Sequence, residues 1–199
     1  MSKIKLAVTG GIGSGKSVVC HLLQVLGVPV YDCDARAKEL MLSDEYLHRG
    51  LERMFGAECF TDEGTLNRKW LAERIFVDKD ALKRMNELVH PCVKRDFKEW
   101  AERQDCDIVA VESAILYESG LFEAVDKVML VWADTETCIS RICNRSGMTR
   151  TQILNRMANQ MSVDELLVLA DYSVFNDGET PVIPELIDIL NDIERSRLK

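Results

Sequence analysis

The residues best suited to chemistry lie near the amino end, where Thr9-Gly10-Gly11-Ile12-Gly13-Ser14-Gly15-Lys16-Ser17 has the phosphate-loop spacing of Gly, four residues, Gly, Lys and then Ser or Thr. Glycines carry the backbone through positive φ and let its N–H groups approach phosphate oxygens that a β-carbon would repel. Gly11, Ile12, Gly13, Ser14, Gly15 and Val18 are thereby candidate nucleotide contacts. Lys16 is long enough to reach the β- and γ-phosphates, and the Ser17 hydroxyl is suited to ligate Mg²⁺. The chemistry implied is that of a nucleoside triphosphate.

Such a loop needs a strand to launch it and a helix N-terminus to aim it at the anion. Ile4 to Val8 is an apolar run of strand character, and Val18 to Leu26 has helical spacing with Gly27 as its C′ residue. Val28-Pro29-Val30-Tyr31 reads as a second strand ending in Asp32-Cys33-Asp34. Ligands of open α/β sheets collect at such strand ends. In an extended segment the two carboxylates point to one side and can share a site; Asp32 is equally suited to cap a helix starting near Ala35.

From Arg36 to about Trp100 the periodicity is helical, with no convincing strand. Asp44 can cap a helix that runs to Phe55 and stops at Gly56, and Thr61-Asp62-Glu63-Gly64 is a turn. Asn67 can cap a helix to Phe76, and Asp80 another to Val89 with Leu82, Met85, Leu88 and Val89 as its core face. So much helix exceeds a simple crossover and predicts an inserted helical lobe over the ligand edge of the sheet. His90-Pro91 is expected to end one helix and begin the next. On spacing alone, His90 is either structural or a ligand contact.

The sheet resumes at Ile108-Val109-Ala110-Val111, with Glu112-Ser113 at the strand's end. Glu112 there either orients Mg²⁺-bound water or the acceptor, or is a surface carboxylate. Lys127 to Val131 is the fourth strand, and Asp134 is expected to cap a helix from Thr135 to Asn144 that carries Arg141 and Arg145 one turn apart. Beyond the flexible joint Ser146-Gly147-Met148-Thr149, Thr149-x-x-Gln152 and Ser162-x-x-Glu165 are successive capping boxes. Arginines before the joint and Arg156 after it suit a mobile lid that grips phosphate oxygens, against the plainer reading of a solvated charged face. Tyr172 to Phe175 is the fifth strand, Asn176-Asp177-Gly178 its turn, and Pro181 to Leu198 a terminal helix.

At 199 residues, 47% apolar and 29% charged, the chain suits one globular core with a small inserted subdomain. A net charge of −8 argues against a nonspecific nucleic-acid partner. No apolar run approaches the roughly 18 residues of a membrane span, and Met1-Ser2-Lys3 leads straight into the first strand with no room for a secretory signal, so a cytoplasmic location is expected. Seven scattered cysteines, never in a Cys-x-x-Cys pair, read as reduced thiols. Nothing in the sequence fixes an oligomeric state.

Gly10 through Ser17, Asp32-Cys33-Asp34, Phe55-Gly56, Leu66-Asn67-Arg68, His90-Pro91, Leu116-Tyr117-Glu118, Arg141 with Arg145, Gln160, and Ala170-Asp171 followed by Asn176 occur in an order and spacing that resembles the dephospho-CoA kinases from end to end. The loop alone is shared by many unrelated NTPases; the later landmarks make the resemblance specific. It implies an α/β fold in which a P-loop kinase core with a five-stranded parallel sheet (residues 1–34, 107–140 and 171–199) carries a helical CoA-binding domain (35–106) and a lid (141–170). It also implies that ATP with Mg²⁺ phosphorylates the 3′-hydroxyl of the ribose of dephospho-CoA, the last step of coenzyme A biosynthesis. By the same resemblance Asp34 is the base that takes the hydroxyl's proton, while Lys16 and Arg141 serve the transferred phosphoryl group. Arg145 and Asn176 fall on the nucleotide side, His90 and Glu112 on the acceptor side. Three positions depart from the pattern: Val18 where Thr commonly follows the loop Ser, Glu112 where Asp is usual, and Ala114 where Pro-Leu-Leu begins.

Two other functions fit the loop itself. A kinase for a different small acceptor would share the core but not the later landmarks. A nucleotide switch that binds a partner protein is disfavoured, since neither Asn-Lys-x-Asp nor an Asp-x-x-Gly element after the loop is present.

Overall fold

Ile4–Thr9 forms strand β1, buried from Leu6 onward, as the apolar run Leu6-Ala7-Val8 requires of a strand covered on both faces. The structure, a computed structural model, describes residues 3–197; Met1, Ser2 and the expected end of the last helix at Leu198 lie outside the described residues. Four more strands follow: β2 (Val30–Asp32), β3 (Ile108–Glu112), β4 (Lys127–Trp132) and β5 (Tyr172–Phe175). The α-helices among the described residues are α1 (Lys16–Val25), α2 (Cys33–Ser43), α3 (Glu45–Phe55), α4 (Arg68–Val77), α5 (Lys79–Arg103), α6 (Thr135–Ser146), α7 (Arg150–Met157), α8 (Val163–Leu169) and α9 (Val182–Arg197). They divide into two units, Met1–Tyr31 with Arg103–Lys199, and Asp32–Glu102.

The first unit is built on the five-stranded parallel sheet foreseen from the sequence, in the order β2-β3-β1-β4-β5. Since β1 is central and its two neighbours belong to connections that depart to opposite sides, the loop after β1 opens where open α/β sheets keep their ligands. On one face Leu6, Val8, Met129, Val131 and Val174 pack with Val19 and Leu23 of α1 and Leu186, Ile189 and Ile193 of α9. Each such side chain contributes about 1.5–3 kcal/mol by leaving water. At the other end of β5, both oxygens of the Asp171 carboxylate are engaged. One accepts from Val128 N–H at 2.8 Å and the other from Lys127 Nζ at 2.8 Å, while Asp171 N–H donates to Val128 O at 2.9 Å.

Helix ends in this unit follow their capping chemistry. Thr149 with Gln152 and Ser162 with Glu165 close complete capping boxes at α7 and α8. Asp134 occupies the N-cap of α6, but its side chain makes no capping bond, and α6 runs past Asn144 to Ser146 before Gly147 ends it. The joint after α6 is packed: Ile139, Ile142 and Ile153 form a cluster with Ile12, Cys143, Met148 and Met157 against it, and Arg150 pairs with Glu136 through both guanidinium arms. The seven cysteines are thiols, not disulfides. No helix among the described residues is long and apolar enough to cross a membrane.

In the Asp32–Glu102 unit, Asp44 accepts from Leu47 N–H at 3.1 Å to start α3, Gly56 ends it, and Asn67 accepts from Trp70 N–H at 3.3 Å to start α4. Four expectations are corrected. Cys33 and Asp34 already lie in the first turn of α2, so positions 32 and 34 are not two residues of one extended strand; Asp32 caps that helix, accepting from Ala35 N–H at 3.0 Å. The first turn of α5 is capped by Asp78, which accepts from Ala81 N–H at 2.9 Å, and Asp80 sits one step inside, where its charge still suits the helix dipole. Leu82 is 38% exposed, because the buried stripe runs through Ala81, Val89, Cys92, Val93, Phe97 and Ala101. That stripe carries α5 without interruption past His90-Pro91, and Pro91 lies inside the helix. Arg36 grips Asp96 at 2.9 and 3.0 Å and Arg95 reaches Asp44 at 2.8 Å, tying α2 and the start of α3 to α5.

Candidate active site

The phosphate loop takes the path that its neighbours leave open. Gly10 has φ +147°, and a Cβ there would stand 2.0 Å from the Val131 carbonyl oxygen; at Gly15, φ +93°, it would stand 2.0 Å from Asn176 Nδ2. Only glycine passes at either position. Lys16 is buried, and its ammonium donates to Gly10 O at 2.8 Å and Gly11 O at 3.1 Å, curling back over the loop. Ser14 Oγ is buried and has no hydrogen-bond partner among the described residues. A buried hydroxyl left so calls for a polar ligand.

Ser17 Oγ donates to Glu112 Oε1 at 3.0 Å, so the hydroxyl that opens α1 and the carboxylate that ends β3 are adjacent. Both are hard oxygen donors of the kind Mg²⁺ prefers. No group of three or more His, Cys, Asp or Glu able to hold a metal occurs among the described residues. Magnesium held here would therefore complete its shell with phosphate oxygens and water, its usual habit.

The loop is braced from two sides. From α6, Arg141 Nη1 donates to Asn176 O at 2.9 Å and, at the limit of a hydrogen bond, to Ser14 O at 3.5 Å; Asn176 Nδ2 donates to Ser14 O at 3.0 Å. Arg141 and Asn176 thus hold the turn after β5 onto the loop. Arg145, one helical turn on, is exposed, as are Val18 and Arg156. On the other side Gln160, between α7 and α8, accepts from Ile12 N–H at 3.0 Å through Oε1 and donates to Ala114 O at 3.3 Å through Nε2. In the sequence Gln160 is a landmark with no contact assigned to it; its one signal there is a long polar side chain just past a helix end.

Of the residues singled out in the sequence, Gly11 to Ser17, Glu112, Arg141 and Asn176 are joined by these bonds and close approaches. Asp34 and His90 belong to the Asp32–Glu102 unit. Asp34 is exposed in the first turn of α2, whereas the neighbouring Asp32 carboxylate is engaged by Ala35 N–H. His90 is half-buried within α5, and burial holds its imidazole below its ordinary pKa, which keeps it neutral at pH 7.

A family model for dephospho-CoA kinase matches residues 4–181. A dephospho-CoA kinase of Bacteroides fragilis is 40% identical over 188 residues, which are 94% of this chain and 91% of that protein. A solved protein of Thermus thermophilus shares the fold with a TM-score of 0.82 at 32% identity, covering 98% of both chains. The dephospho-CoA kinase of Campylobacter jejuni, with a TM-score of 0.71 at 22% identity over 98% of this chain and 100% of that one, speaks for the fold. With the match running through the loop, the helical unit and the turn after β5, the chain belongs to the dephospho-CoA kinase family.

Proposed function

We propose that the protein transfers the γ-phosphoryl group of ATP to the 3′-hydroxyl of the ribose of dephospho-CoA, giving coenzyme A and ADP, the last step of coenzyme A biosynthesis. Family membership implies ATP as the donor. The observation that carries the reading is a glycine cradle with a buried, unpartnered Ser14 hydroxyl and the Lys16 ammonium folded over it.

Phosphoryl transfer asks a protein mainly to place groups and neutralise charge. The loop N–H groups and Lys16 do so at the phosphates, and Ser17 with Glu112 would hold Mg²⁺. When bound, that ion neutralises the phosphate oxygens as charge shifts onto the leaving group. Arg141 serves the nucleotide side by pinning the Asn176 turn to the loop, and exposed Arg145 is available to the nucleotide. As the ribose oxygen bonds to phosphorus and the bond to the β-phosphate oxygen breaks, the hydroxyl proton passes to Asp34. The division of labour between Asp32, spent on its cap, and exposed Asp34 supports that choice. His90 belongs to the acceptor-binding surface of a helical domain spanning 35–106, set between core segments 1–34, 107–140 and 171–199, with 141–170 as the lid. The enzyme works in the cytoplasm and takes no nucleic-acid partner.

ADP release measured with dephospho-CoA beside a panel of nucleoside and sugar acceptors tests the reading. Turnover of another acceptor and none of dephospho-CoA overturns it. Asp34→Asn should leave ATP binding intact and lower kcat by roughly 10²-fold, the usual loss of a general base; near-normal turnover removes Asp34 from that role.

A further inference from the structure

The joint between α7 and α8 reaches into the phosphate loop through one side chain that the chemistry above leaves unused. Gln160 is half-buried there, with its own N–H held by Met157 O at 3.0 Å. Its carboxamide spans two segments, taking Ile12 N–H at 3.0 Å and giving to Ala114 O at 3.3 Å. A carboxamide presents an acceptor and a donor on one planar group; a carboxylate would set an acceptor against the Ala114 carbonyl, and an amine would offer Ile12 no acceptor.

The joint and the far end of α8 each meet the segment after β3 at one further point. Met161 N–H donates to Glu118 Oε1 at 3.2 Å, and the Tyr117 hydroxyl donates to Leu169 O at 3.2 Å. The Ser17–Glu112 bond closes the far end of the same arrangement. The loop is thus tied to the start of this segment twice, from Ser17 to Glu112 and from Ile12 through Gln160 to Ala114, and the Ile12 peptide is oriented by a side chain far along the chain.

We propose that Gln160 is a positioning residue for phosphoryl transfer, which aims the Ile12 peptide of the loop and ties that aim to the segment after β3 and to the α7–α8 joint. The remaining loop N–H groups and Lys16 still hold the nucleotide when it is lost, so transfer and not ATP affinity bears the cost. The kinetic part of this rests on the kinase reading above; the contact itself does not.

Gln160→Leu and Gln160→Glu test it, with thermal unfolding to confirm that each variant folds. In the protein without substrates, NMR amide exchange at Ile12 should quicken about tenfold or more in Gln160→Leu, as expected when a bond of about 1.4 kcal/mol is lost. Gln160→Glu, which keeps the acceptor and loses the donor, should leave Ile12 protected. With ATP and dephospho-CoA both variants should lose about tenfold or more in kcat while KM for ATP stays within about twofold, as a small misplacement of reacting groups does. Unchanged Ile12 exchange in Gln160→Leu, a kcat close to the parent's in both variants, or a loss confined to KM overturns the proposal. Should the parent fail to turn over dephospho-CoA, the functional reading falls while Ile12 exchange still decides the Gln160 contact.

Discussion

The phosphate loop and the middle of α5 are both written with residues that interrupt helices, and they obey opposite rules. At Gly10 the backbone's immediate surroundings decide. A Cβ would strike the Val131 carbonyl of β4, a hard atom that cannot turn aside. At Pro91 the local signal is overruled. The missing N–H costs α5 a bond toward the Glu87 carbonyl, roughly 3 kcal/mol on intrinsic preference. The stripe of Val89, Cys92, Val93, Phe97 and Ala101 lies buried on either side of the break, and its larger members each contribute about 1.5–3 kcal/mol. Their sum wins. A breaker is obeyed where fixed backbone closes on the position and overridden where a long apolar stripe runs through it.

Substitutions can break or sharpen this contrast. Gly10→Ala should have the largest effect, destabilising the fold by more than about 4 kcal/mol, because neither atom in the clash can rotate away. Denaturant unfolding measures it, and a variant within 1 kcal/mol of the parent would show that β4 yields. Next comes Phe97→Ala, which removes the largest fully buried member of the α5 stripe and should cost about 3–5 kcal/mol in the same experiment. A loss below about 1 kcal/mol would mean that something other than this stripe carries α5 past its proline. Pro91→Ala should instead stabilise, by about 1–3 kcal/mol, since the helix regains a donor and its stripe is untouched. Equal or lower stability would place the pyrrolidine ring itself among the favourable contacts.

The smallest effect concerns His90. Burial lowers its pKa from the ordinary 6.5, so as pH falls the unfolded chain binds the proton first. The stability that His90 contributes is therefore present above about 6.5 and is lost as pH falls through the lowered value. His90→Gln should flatten the fall of unfolding free energy over that acid window. Identical slopes for parent and variant would remove His90 as its source.

What could be read from the sequence was what short-range bonds determine. Asp44 and Gly56 bound α3, and the capping boxes at Thr149 and Ser162 close as their spacing implies, because each bond spans three residues. The phosphate loop and the existence of five strands were equally plain, since apolar runs and glycine spacing are written locally, although β2 spans Val30–Asp32 where Val28 to Tyr31 was expected. The continuity of α5 was not, for it depends on burial that no window of the chain displays. Asp80 was read as the cap that Asp78 provides, and Leu82 as core although it is exposed, because the spacing of apolar residues does not show which face of the helix a partner covers. Gln160 was hardest to foresee: its two bonds cross 148 and 46 residues of chain.

The carboxylate of Asp171 has a consequence at the opposite end of its strand. By fastening the start of β5 to Lys127 and Val128 it acts as the zero mark of a ruler, and Asn176, five residues on, falls at a graduation about 16 Å away. A slip of a single residue would turn every β5 side chain to the other face and carry the Asn176 amide off the Ser14 carbonyl that it now meets. An acidic group at the far end of β5 from the loop thus meters out where that loop finds its support.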